Sequence, residues 1–110
     1  MADITEVSQG ATPTLQFSLP TSIELKGAII YFSIEQFDRK IIEKSSEDSK
    51  DVMLEGNIVS VYLSQLDTLQ LEEGDAKAQI NITKEKGYIR LPTYEAPLKI
   101  LHNEIRRVLI

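Results

Sequence analysis

Four times along this chain, apolar residues recur at every second position. Leu15, Phe17 and Leu19 do so in TLQFSL, and Ala28, Ile30, Phe32 and Ile34 in AIIYFSIEQF. Val59, Val61 and Leu63 repeat the pattern in IVSVYL, as do Ala76, Ala78, Ile80 and Ile82 further on. A period of two puts each set on one face of an extended strand, whereas a helix would scatter it around its axis. The β-branched and aromatic content of these runs fits the same reading. Ile29 and Tyr31 make the second face of AIIYFSIEQF apolar as well, which places that strand centrally in its sheet.

The segments between the runs carry turn chemistry. Glu55-Gly56-Asn57 suits a hairpin, because glycine and asparagine accept positive φ. Asp38-Arg39 reads as a tight polar connection, with Lys40 to Lys44 returning as a partner strand. Ser45 to Lys50 reads as a polar loop, Val52 to Leu54 as a short edge segment and KEKG at 84–87 as another hairpin turn. Ser64 is a good N-cap, and the spacing predicts one helical turn over Gln65–Leu69 with Leu66 and Leu69 facing the core. Near the end, Tyr88 to Leu91 reads as a strand stopped by Pro92, and Pro97 confines Tyr94 to Leu101 to an edge or bulge. Residues 1–11 read as a flexible arm, and 12–110 as a single domain. The sum is an all-β antiparallel sandwich of seven or eight strands with one short helical turn near 64–69; a barrel is the alternative.

Composition removes several functions. Of 110 residues, 12 are basic and 17 acidic, for a net charge of −5, which disfavours nucleic acid as a partner. With no cysteine, disulfides, thiolate-bound zinc and thiol catalysis are excluded. No apolar run approaches the ~18 residues of a membrane span, and the polar start MADITEVSQGATPT lacks the features of a secretory signal. The expectation is a protein made in the cytoplasm, with no membrane partner.

Three groups of residues are candidate sites. The carboxylates Asp67, Glu72, Glu73 and Asp75 cluster in sequence, but they form no calcium-loop pattern and read as the solvated surface of a turn. His102 is the only histidine and lacks a recognisable nucleophile, so neither metal nor cofactor is expected. Among the tyrosines, Tyr31 and Tyr62 read as core-edge residues, while Tyr88 and Tyr94 are interface candidates. Arg106 and Arg107 precede an apolar terminus, Val108-Leu109-Ile110, which is expected to be either the last strand of the domain's own core or a docking segment.

The stretch from Ile58 through LSQLDTLQLEEG to Ile82 resembles the E-to-F crossing of immunoglobulin-like sandwiches. The cysteines, core tryptophan and corner tyrosine of antibody domains are absent, since Asp75-Ala76-Lys77 stands where the tyrosine would be. From about Gly10 onward the chain resembles small phage and prophage proteins of Gram-positive bacteria. GATPTLQFSLP, and EGNIVSVYLSQLDT with its GN-x-V-x-V-x-L-S-x-x-x-T spacing, carry that likeness. The resemblance implies an immunoglobulin-like domain in a non-catalytic structural or accessory protein of the virion, in the tail or baseplate. Its implied partners are other virion proteins or further copies of itself, met through strand edges and the two ends. The alternatives are a β-sandwich module that binds a sugar or peptide, and a small hydrolase using His102 and the acidic cluster.

Overall fold

The computed structural model describes residues 4–22, 24–84 and 89–109. Its strands are β1 (Thr5–Ser8), β2 (Thr14–Ser18), β3 (Ile29–Gln36), β4 (Arg39–Ser45), β5 (Val52–Glu55), β6 (Ile58–Tyr62), β7 (Gly74–Lys84) and β8 (Ile89–Leu101), with helix α1 (Gln65–Leu69) between β6 and β7. They form a five-stranded sheet in the order β1-β8-β7-β3-β4 and a three-stranded sheet in the order β2-β6-β5. This mostly-β, two-sheet arrangement is consistent with the expected sandwich.

The alternating runs supply the core. Ile30, Phe32 and Ile34 from the larger sheet and Val59, Val61 and Leu63 from the smaller sheet and its exit are fully buried in one hydrophobic cluster. Phe17 of β2 and Phe32 of β3 meet across the sheets with ring centroids 5.9 Å apart. At ~25 cal/mol per Å² of apolar surface, burial of this shared layer is the main favourable contribution to folding.

Two hairpins show how local residues set the pairing. Glu55 pairs with Ile58, leaving Gly56-Asn57 as the turn, with φ 63° at Gly56. Positive φ at the first turn residue alone is the type II′ pattern, which glycine adopts without strain. Asn57 also fastens β2, donating from Nδ2 to the Leu19 carbonyl at 2.7 Å. The β3–β4 turn falls one residue earlier than the expected Asp38-Arg39. Gln36 pairs with Arg39, so Phe37 and Asp38 form the turn at φ 54° and 60°. The twist of the paired strands favours this two-residue geometry even though it forces an aromatic residue into the left-handed region.

Three further expectations are corrected. Residues 4–11 do not form a flexible arm: β1 pairs with β8 from Thr5↔Leu98 to Ser8↔Leu101, and Val7 is buried. That pairing is parallel, so the larger sheet is not purely antiparallel. The proline-rich end does not break into two strands. Ile80 pairs with Tyr94 and Ile82 with Leu91, so Pro92 and Thr93 together face Asn81 as a β-bulge that absorbs the missing N–H. Arg90 and Thr93 fix the bulge by donating to Asn81 Oδ1 at 2.7 and 3.0 Å. The turn expected at 84–87 lies outside the described residues beyond Lys84.

Candidate interaction surface

The crossing between β6 and β7 decides where the candidate residues lie. Ser64 caps α1: its hydroxyl accepts from the Asp67 N–H at 3.1 Å, and the Asp67 carboxylate accepts from the Ser64 N–H at 2.8 Å. This reciprocal box fixes the helix phase. It turns Thr68 fully inward, where its hydroxyl donates to the Ala11 carbonyl at 2.8 Å. Leu66 therefore points outward and is 63 % exposed, contrary to expectation, while Leu71 takes the inner position and Leu69 is half-buried.

The four carboxylates are not brought together. Asp67 lies against Lys44, whose Nζ sits 2.7 Å from Asp67 Oδ2 and 2.6 Å from Asp51 Oδ2. The Lys44 side chain is only 12 % exposed, so Asp67 does not simply face water. Burial is the largest influence on Lys44 and works against its charge, but the bonds to Asp51 and Asp67 together outweigh it and hold the ammonium above its usual range. For Asp67, too, burial is the largest influence and favours the neutral acid; the bonds from Lys44 and Ser64 outweigh it and hold the carboxyl below its usual range. Glu72, Glu73 and Asp75 are exposed, as expected. No set of three or more metal-binding side chains gathers among the described residues.

His102 meets two carboxylates, with Nε2 3.4 Å from Glu104 Oε1 and Nδ1 4.0 Å from Glu73 Oε1. Its Nδ1 also lies 3.4 Å from Arg106 Nη1. This group sits on open surface, where the Glu73 and Glu104 side chains are 68 % and 92 % exposed and strongly solvated.

Tyr94 is partly buried against the core, so the structure does not place it as a free interface residue. Tyr88 and Ile110 lie outside the described residues. Val108 and Leu109 do not form a last strand: β8 ends at Leu101, and Arg106, Arg107, Val108 and Leu109 are all exposed. The tail is nonetheless seated. Gln65 donates from Nε2 to the Leu109 carbonyl at 2.8 Å, and the Leu109 N–H returns a bond to Gln65 Oε1 at 2.7 Å.

That seating completes a surface which strand periodicity only partly announces. Outward residues on β6 are Ile58, Ser60 and Tyr62, flanked by Met53 and Glu55 on β5 and by Thr14, Gln16 and Ser18 on β2. Past Tyr62, a shallow depression lined by Thr12, Tyr62, Ser64, Gln65, Leu66 and Val108 continues the strip. Met53, Ile58, Tyr62, Leu66, Val108 and Leu109 are 40–63 % exposed along it. Of the outward strand positions on this sheet, Glu55 alone carries a charge.

The opposite outer face, on the larger sheet, has the reverse character. Lys77 bridges Glu95 at 3.0 Å and Glu35 at 3.7 Å, and Gln79 and Asn81 extend this polar ladder. The bond to Glu95 raises Lys77 above its usual range and, in return, lowers Glu95.

Neither protein-family models nor curated proteins give a match to this chain. No helix among the described residues is long and apolar enough to cross a membrane.

Proposed function

We propose that this protein is an interaction module of a phage or prophage particle, acting by surface complementarity and without a catalytic step. The exposed apolar side chains Met53, Ile58, Tyr62, Leu66, Val108 and Leu109, on and beside the weakly charged outer face of the three-stranded sheet, are the observation that carries the interaction reading. Tyr62, Leu66 and Val108 line one shallow depression outside the protein's own core, and exposed apolar side chains gathered in this way mark a contact surface. Few charges, with tyrosine and methionine present, is also the composition of interface centres. The phage setting rests on the sequence likeness of GATPTLQFSLP and EGNIVSVYLSQLDT.

An immunoglobulin-like fold is part of this reading. With β2 to β8 taken as strands B, C, C′, D, E, F and G, the orders β8-β7-β3-β4 and β2-β6-β5 correspond to G-F-C-C′ and B-E-D. The short helix at the E-to-F crossing fits the same scheme. Strand edges, by contrast, are poor docking sites. β1 and β5 have four residues each, Pro13 and Pro20 bracket β2, and the part of β8 left uncovered by β1 carries Pro92 and Pro97. On β4 the charged Lys44 points inward. All are devices that discourage edge pairing. Contact through a face is therefore preferred to contact through edges.

The test places a photo-crosslinking residue at Tyr62 in cells producing the particle. A crosslink to an identified virion protein or to a second copy, with the chain detected in purified particles, is the expected result. No crosslink from Tyr62, and no chain in the particle, overturns the proposal.

A further inference from the structure

We propose that the outer face of the larger sheet carries a saccharide-binding site centred on Tyr31. Tyr31 stands on β3, and its partners across the sheet are Asn81 on β7 and Ser45 on β4. Its side chain, 36 % exposed, lines two shallow depressions of about 300 and 270 Å³, and Glu43 lines both as well. The first continues to Asn81 and Arg90, the second to Ser45 and Asp48. The strand order β8-β7-β3-β4 sets Arg90 on one side of Tyr31 and Glu43 on the other. Further along this face, Lys77, Glu35 and Glu95 are paired among themselves. Around Tyr31, opposite charges instead flank an aromatic side chain.

The polar groups at the rim are oriented by neighbours and keep bonding capacity. Arg90 donates to Asn81 Oδ1 at 2.7 Å from Nη2, and a guanidinium has further N–H donors. Glu43 accepts from Lys40 at 2.7 Å through Oε1, and a carboxylate has a second oxygen. Asp48 Oδ2 accepts from the Ser45 hydroxyl at 3.2 Å. A simple anion would meet Glu43 as a like charge, and a simple cation would meet Arg90. A small zwitterion satisfies both charges but leaves the ring unused. A sugar uses all three: each hydroxyl both donates and accepts, and the electron-rich ring face takes the weakly positive C–H groups of a pyranose. Each depression is at or just below the ~300 Å³ lower end of small-ligand sites and stays open to water. The ligand is therefore a short saccharide held weakly, with a Kd of about 1 mM.

Titration of the isotope-labelled full chain with glucose, galactose, rhamnose and N-acetylglucosamine, followed by NMR, tests this. At least one sugar should give saturable shifts at the Tyr31, Asn81 and Arg90 amides, while Met53 on the other sheet stays unmoved. Tyr31→Ala should raise that Kd about tenfold, whereas Tyr31→Phe, which keeps the ring, should change it less than ~threefold. Thermal melting checks that both variants fold, and glycine and inorganic phosphate serve as charged controls. No saturable shift at these amides with any of the four sugars, or a folded Tyr31→Ala variant that binds as wild type does, overturns the inference. Shifts produced there by glycine or phosphate but by none of the sugars overturn it too. The result is independent of the Tyr62 crosslink, which reports on the other sheet.

Discussion

Replacing Lys44 by methionine would show what the ion triad beneath α1 contributes. The ammonium lies within 2.7 Å of both Asp51 and Asp67, and methionine retains most of the apolar stem. Exposed ion pairs contribute about 0–1 kcal/mol, whereas removing one partner of a fully buried pair costs about 3–5 kcal/mol. Side-chain exposures of 12 % for Lys44, 18 % for Asp67 and 37 % for Asp51 place this site between those limits. The expected cost of Lys44→Met at neutral pH is about 2 kcal/mol, or a drop in Tm of about 10 °C for a domain of this size.

The cost must also depend on pH, with a definite sign. Asp67 is held below its usual value by Lys44 and Ser64, against the opposing pull of burial. A carboxyl with a depressed folded-state pKa stabilises the fold above its unfolded value of ~3.9, and that contribution vanishes as pH falls through the folded value. Lys44, raised when folded, contributes below its unfolded value of ~10.4 and loses that contribution as pH climbs through the folded one. The difference between wild type and Lys44→Met is thus largest on the plateau between these windows and shrinks in acid below pH ~4. Urea unfolding at neutral pH and at successively lower pH measures it. A variant within ~0.5 kcal/mol of wild type at neutral pH, a surface-pair value, or a difference unchanged on acidification, would refute the structural role assigned to the triad.

Three other outcomes follow from the fold. Deleting residues 1–9 removes the buried Val7 and the Gln9 side chain that bonds the Leu71 carbonyl at 2.8 Å, so unfolding free energy should fall by about 3 kcal/mol or more; a dispensable arm would leave the denaturation midpoint unchanged. Thr68→Val keeps the buried shape but strands the Ala11 carbonyl, for a loss of about 1–2 kcal/mol in chemical denaturation. Phe37→Asn with Asp38→Gly suits the left-handed turn and should stabilise by about 1 kcal/mol in thermal melting, since Phe37 is 65 % exposed and has little packing to lose; no gain would mean that the Phe37 backbone is unstrained.

The strands with clean alternation were legible in the sequence because burial of one face depends only on local spacing. Ile30, Phe32 and Ile34, and Ala78, Ile80 and Ile82, are inward as their period requires. The Gly56-Asn57 turn and the Ser64 cap were legible for a similar reason, since each rests on the backbone chemistry of one or two residues. What was hidden depends on distant partners. TEVS offers only Val7 to a core, and its place is set by parallel pairing with residues over ninety positions away. Leu66 and Leu69 have the spacing of a buried pair, but a single turn has room for one deeply inward residue, and the cap gives that place to Thr68. Lys44 in KIIEK looks like an ordinary exposed lysine until the crossing brings Asp67 over it. The exposed apolar set was half visible in Ile58 and Tyr62, but its continuation needed the tail to fold back onto Gln65.

The crossing explains why Tyr62 and Leu66 can be apolar without being part of the core. A chain passing from one sheet to the other leaves both hydrogen-bond ladders, so its polar backbone groups need other partners. Two buried glutamines supply them. Gln9 Nε2 donates to the Leu71 carbonyl, and its own Oε1 accepts from the Asn103 N–H at 3.2 Å. Gln36 Nε2 donates to the Glu72 carbonyl at 2.8 Å, and its Oε1 accepts from the Glu72 N–H at 2.9 Å. With Thr68 on Ala11, Lys44 on Asp67 and Gln65 on Leu109, every side of the crossing is tied to another element by polar bonds. The crossing therefore does not need Leu66 for its anchorage, nor does β6 need Tyr62. Substitutions at those two positions should change association while leaving unfolding free energy within ~0.5 kcal/mol of wild type, as for surface sites generally. Because these supports are polar bonds made from beneath and beside the crossing, they leave Tyr62, Leu66 and Val108 free to face outward, where a partner can cover them.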